Sequence, residues 1–140
     1  MATSIEPASL VNWGAFSQAR AELGANFVRI LGYFREDGVK SVSAIEAAMR
    51  AQNATAMVIP AHTLKGESRQ FGADPLADLA ETIEMIARGC VESHDELSQA
   101  IAHVVQLRPM FEATLALLER EANPLVERRP QFGRRPAVGY

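Results

Sequence analysis

From Leu10 to Ala122, apolar residues recur at spacings of three and four, and only short polar breaks separate one run from the next. A chain patterned in this way buries its apolar stripes by winding into helices and packing them on one another; alternation with period two, which a half-buried strand needs, is nearly absent. The residue content agrees: 23 Ala and 13 Glu stand against nine aromatic residues in 140, which favours helices over sheet. Length fits one domain with one core.

The punctuation divides the pattern into six stretches. Leu10, Trp13, Phe16, Ala19 and Leu23 mark a first helix, from Leu10 to about Glu22. Phe27, Ile30, Leu31 and Phe34 mark a second, ended by Asp37-Gly38. Val39, Val42, Ile45, Ala48 and Met49 mark a third, stopping near Asn53, which is placed to cap the next helix. That fourth helix, about 54–71, carries one continuous stripe of Met57, Ala61, Leu64, Ser68 and Phe71. Gly72 follows at the left-handed position after its end. Asp74-Pro75 supplies an N-cap and a first-turn proline for a fifth helix of about 14 residues (Leu76, Leu79, Ala80, Ile83, Ile86, Ala87) stopped by Gly89. Ser93 to Glu96 has the form of a capping box ahead of the last helix, about 95–121. Pro60 and Pro109 lie inside helices, and because the stripes resume in phase beyond them they predict kinks and not ends.

Short connections make successive helices antiparallel. The expected fold is all-α: an up-down-up-down four-helix bundle built from about 39–52, 54–71, 75–88 and 95–121, with two additional N-terminal helices covering one end or side.

Net charge is −3, which leaves no overall electrostatic footprint for nucleic acid. It divides unevenly: residues 124–140 hold Arg128, Arg129, Arg134 and Arg135 against Glu127, a local +3, so residues 1–123 carry −6. A bundle domain over 1–123 followed by a flexible basic tail over 124–140 is the expected organisation, the tail arginines being solvated or in contact with an acidic partner. Cys90 is the sole cysteine, so no intramolecular disulfide can form. No apolar run reaches the length of a membrane span, and no basic-then-apolar leader opens the chain. A soluble, cytoplasmic protein is expected.

One stretch carries chemistry: His62 to Ala73, His-Thr-Leu-Lys-Gly-Glu-Ser-Arg-Gln-Phe-Gly-Ala. On a helix, His62 falls beside the Ala61 stripe but off its centre, and is therefore exposed. Lys65, one turn on, places a cation where an anion attached to the imidazole would sit. Gly66 costs about 1 kcal/mol relative to Ala inside a helix. It serves either close helix packing or the approach of something large to the imidazole. His94 and His103 belong to no metal-like set, and Cys90 is expected to pack.

The run H-T-L-K-G-x-S-x-x-x-G-A-x-x-L, His62 through Leu76, resembles the motif of histidine-containing phosphotransfer (HPt) domains, with His62, Leu64, Lys65, Gly66, Ser68, Gly72, Ala73 and Leu76 at the family's spacing. The resemblance in helical order extends over Leu10 to Ala122. It implies a four-helix bundle in which His62 takes a phosphoryl group from the aspartyl-phosphate of one receiver domain and passes it to an Asp on another. Lys65 would stabilise the phosphoryl oxygens, Gly66 would admit the partner, and Ser68 and Gly72 would serve local hydrogen bonding and packing. No intrinsic cofactor is implied, the Mg2+ belonging to the receiver, and the expected partners are receiver domains of response regulators and hybrid kinases, without nucleic acid or membrane, on a monomer. Glu84 falls where family members carry an acidic or amide side chain that holds the imidazole tautomer, and Arg88 where some carry a base; both also read as a solvated pair four residues apart. Val58, Ile59 and Arg69 are expected on the docking surface. Glu67 replaces a usual small residue and adds charge near that face, and Pro60 is also unusual there. The alternative is a helical adaptor that binds a receiver without transfer; a histidine-kinase dimerising domain is disfavoured by the residues after His62.

Overall fold

The computed structural model describes residues 10–122, and the regular structure within them is helical. Five helices are α1 (Trp13–Leu23), α2 (Phe27–Arg50), α3 (Ala54–Gln70), α4 (Asp74–Ser93) and α5 (Ile101–Ala122), with 3-10 turns at Gly24–Asn26 and Leu97–Ala100. The proposed tail, 124–140, and residues 1–9 and 123 of the expected domain lie outside the described residues.

Helices α2 to α5 close a ring in which α3 packs on α2 and α4, and α5 on α4 and α2. Ion pairs Arg35–Glu119 and Arg108–Glu46 join α2 to α5 in antiparallel order. Six of the aromatic residues form one connected chain through the core: Trp13, Phe16, Phe27, Phe71, Phe34 and Phe111, with ring centroids 5.1 to 5.8 Å apart and mostly edge-on. That chain ties α1, α2, α5 and the end of α3 together, with Phe71, just past α3, seated directly on Phe27 and Phe34 of α2.

The four-helix bundle is as expected, and several of its elements differ in extent. The second and third predicted helices are one 24-residue helix, α2, which passes straight through Asp37-Gly38. Phe27, Leu31, Phe34, Gly38, Ser41, Val42, Ile45 and Ala48 form a single buried stripe; burying that stripe outweighs the roughly 1 kcal/mol that a helical glycine costs. Gly38 lies on the stripe, and a Cβ there would overlap the Phe111 ring. One helix, α1, therefore precedes the bundle among the described residues. Helix α4 likewise runs through Gly89 to Ser93 and stops where His94 takes a left-handed φ of 60°. The Ser93–Glu96 capping box does not form, because Ser93 is still helical, its hydroxyl lying 2.7 Å from the Gly89 carbonyl.

Helix α3 has the predicted ends. The Asn53 side chain accepts from the Ala56 amide at 3.0 Å, and Gly72 has φ +77°. The Asn12 amide donates to the Gly72 carbonyl at 2.7 Å, and a Cβ on Gly72 would strike the Asn12 backbone, so this corner accepts only glycine. Ala73, not Asp74, occupies the cap position of α4, with Pro75 in the first turn. Both Pro60 and Pro109 sit inside unbroken helices.

Candidate functional site

Helix α3 buries Met57, Ala61, Leu64 and Ser68, which turns the neighbouring face, with His62 on it, outward at its seam with α4. The His62 side chain is 57% exposed, while Glu84 from the middle of α4 is only 6% exposed and reaches under it. His62 Nδ1 lies 2.9 Å from Glu84 Oε2. The Lys65 ammonium lies 2.9 Å from Glu84 Oε1, and the Arg88 guanidinium donates through Nε to Oε2 at 2.9 Å. One buried carboxylate thus holds three basic groups, His62, Lys65 and Arg88.

Electrostatics follow from that arrangement. Burial alone would raise the Glu84 pKa, but the bonds from Lys65, Arg88 and His62 more than offset it and hold the carboxyl at about 2. Glu84 is therefore ionised throughout the physiological range. An ionised carboxylate accepts only, so the hydrogen in the His62 contact belongs to Nδ1, and in the neutral ring the other nitrogen, Nε2, carries the lone pair.

Gly66 is exposed, and a Cβ there would meet nothing within 4 Å. This decides between the two roles of an interior glycine: no helix packs against it, and the space it leaves open faces out beside His62. Ser68 is fully buried and packs, but its hydroxyl has no hydrogen-bond partner, so the expected local bonding is made by its backbone carbonyl, which accepts from Phe71 and Ala73. Arg69 does not stand free on the surface; it bridges to Asp78 at 3.2 Å and Glu81 at 2.9 Å on α4. Val58 is partly buried and Ile59 exposed, both on the His62 side of α3.

Glu67 turns away from the α3–α4 seam that carries His62. It occupies the edge of the buried stripe, three residues after Leu64 and four before Phe71, and turns toward Asp37 of α2. Burial, then the bond and charge of Asp37, raise its carboxyl to about 7. Its Oε1 is buried without a partner.

The expected helix end at Gly89 concealed a groove of about 340 Å³, lined by Thr55, Val58 and Ile59 of α3 and by Arg88, Val91 and Glu92 of α4. Positions 88, 91 and 92 share a face only if the helix continues past Gly89, which is the sequence clue that marks them. Among the described residues no group of three His, Cys, Asp or Glu side chains is placed to hold a metal ion, and no helix is long and apolar enough to cross a membrane. Cys90 is buried, its thiol 3.3 Å from the Glu96 carbonyl.

Comparison with known proteins adds a family. The Hpt domain model matches residues 29–120. No curated protein matches the sequence. Among solved structures, the crystal structure of histidine-containing phosphotransfer protein B (HptB) from Pseudomonas aeruginosa PAO1 has the same fold, with a TM-score of 0.73 at 24% identity over 81% of this chain and 95% of that one.

Proposed function

Because the chain belongs to the Hpt domain family, the histidine phosphotransfer proteins of phosphorelays, we propose that His62 is its phosphoryl acceptor and that Glu84, Lys65, Arg88 and Gly66 are the groups that equip it. The observation that carries this reading is the contact between His62 Nδ1 and the ionised Glu84 carboxylate, which points a nucleophilic Nε2 into open solvent beside Gly66.

The chemistry balances without a base. Nε2 attacks the phosphorus of a receiver's aspartyl-phosphate with its lone pair, in line with the departing carboxylate oxygen. The N–P bond forms as the P–O bond breaks, and the carboxylate leaves with the electron pair. No proton has to leave Nε2. The phosphorylated ring keeps its Nδ1 hydrogen against Glu84, and the positive charge this creates faces a carboxylate already in place. Lys65 and Arg88 flank the transferred group with cations for its equatorial oxygens. Transfer onward to a second receiver is the same step reversed. Receiver domains are the partners implied by the family; Val58, Ile59 and Arg69 lie on the side of the bundle they would cover, and the chain acts as a monomer without nucleic acid.

Incubation with a phosphorylated receiver should move label onto this protein in an acid-labile, base-stable bond, and a His62→Gln variant should take none. Label on His62→Gln overturns the assignment. Unaltered receiver binding with no label on the native protein leaves the adaptor reading in its place.

A further inference from the structure

The groove between α3 and α4 begins one turn before the imidazole: Val58 and Ile59 precede His62 by four and three residues, and Arg88 both lines the groove and bonds Glu84. Its far wall is α4 from Arg88 to Glu92. Three exposed features stand on or beside the groove. Gly89 is exposed in mid-helix, and a Cβ on it would meet nothing within 4 Å, as at Gly66. Met85, one turn before Gly89 on the same shoulder, is 64% exposed, and Ile59 across the groove is 67% exposed. The Glu92 carboxylate at the groove's end has no cation within salt-bridge distance among the described residues.

Size says what covers this surface. A compact domain of about 100 residues has a radius of gyration of about 13 Å, more than twice the roughly 5.4 Å pitch of a helical turn. A receiver seated with its aspartate over Nε2 therefore overlies the adjoining turns of both helices. Resting on the assignment of His62 as acceptor, we propose that the α4 shoulder of Met85, Gly89 and Glu92 is a specificity-determining wall for receiver docking: partner backbone closes on Gly89, an apolar partner side chain enters the groove between Ile59 and Val91, and a partner cation meets Glu92. Gly66 and Gly89 are then two clearances on either side of the imidazole, one for access to the reacting atom and one for partner fit.

The test measures transfer from the phosphorylated receiver that serves the native protein best, beside labelling by phosphoramidate, a donor too small to need docking. Glu92→Lys should raise KM for the receiver by about fivefold or more, as like charge meets the partner's cation, with kcat and phosphoramidate labelling unchanged. Gly89→Ala should raise Tm, as a helical glycine is relieved, and also raise KM; Gly32→Ala, at another glycine with open space in α2, should raise Tm alone. KM unchanged in both Glu92→Lys and Gly89→Ala overturns the proposal, as does reduced phosphoramidate labelling, which would place their effect on the imidazole itself. A native protein labelled by neither donor overturns the assignment of His62 and this proposal with it; labelling lost only in His62→Gln upholds the assignment whatever the α4 variants do.

Discussion

Glu67→Gln should stabilise this protein at alkaline pH and leave it unchanged in mild acid. The Glu67 carboxyl sits against Asp37 in the α2–α3 seam with one oxygen buried and unpartnered, and its pKa stands at about 7 against 4.5 when unfolded. A folded pKa above the unfolded one means the native state prefers the proton. Below pH 4.5 both states hold it and ionisation costs nothing; as pH rises through 7 the native state must give it up, and stability is lost. The interval from 4.5 to about 7, at about 1.36 kcal/mol per pH unit, amounts to about 3 kcal/mol. Partial exposure of the carboxyl brings this to about 2 kcal/mol. Relaxation is restricted because Asp37 adjoins Gly38, where the Phe111 ring locks α2 in position. Glutamine has the same shape, no charge, and an amide that can donate to Asp37. Thermal unfolding followed by circular dichroism at pH 4 and pH 8 reads the difference directly: no change at pH 4, and a Tm higher by about 6 °C at pH 8. Asp37→Asn should reproduce part of the gain. A variant less stable than the native protein at pH 8, or equally shifted at both pH values, refutes the reasoning.

Three further outcomes are expected. Glu84 has the opposite sign: its folded pKa of about 2 lies below 4.5, so its stabilisation is complete above pH 4.5 and disappears as pH falls toward 2. Glu84→Gln should cost about 2 kcal/mol at pH 7, discounted because His62 and Arg88 are more than half exposed, and nothing at pH 2, by urea denaturation. Gly38→Ala should destabilise by about 1–3 kcal/mol despite alanine's better helix propensity, with partial recovery in Gly38→Ala/Phe111→Leu; an increase in Tm for the single variant would refute the packing. Gly66→Ala should stabilise the free protein by about 1 kcal/mol and slow transfer from a phosphorylated receiver, and transfer at the native rate would show that no partner approaches there.

The bundle was legible because its strongest signals are redundant. The α3 stripe, the Asn53 cap and the left-handed Gly72 each fix the same helix, and they agree. His62, Lys65, Gly66 and Glu84 were legible one at a time, by spacing along a helix and by resemblance. Their assembly was not: that a single buried carboxylate bonds His62, Lys65 and Arg88 depends on how α4 lies on α3, which no pattern within either helix encodes. The pairing of Glu67 was hidden for the same reason. Its position on the edge of a stripe says that it is near the core, but only the course of α2 puts Asp37 opposite.

Glycine shows most clearly why the remainder needed three dimensions. Gly38, Gly66 and Gly89 all stand inside helices and carry the same local penalty, so local rules treat each as a weak point or an end. What distinguishes them is the contact a Cβ would make. At Gly38 it would overlap Phe111, so the missing side chain is the socket of an aromatic ring and the helix continues because the core requires it. At Gly66 and Gly89 it would touch nothing, so no internal contact offsets the cost, and both are exposed on either side of His62. Two adjoining helices that each forgo stability at an exposed glycine, one on either side of His62, present the surface expected of a protein whose partner comes within backbone distance of the imidazole.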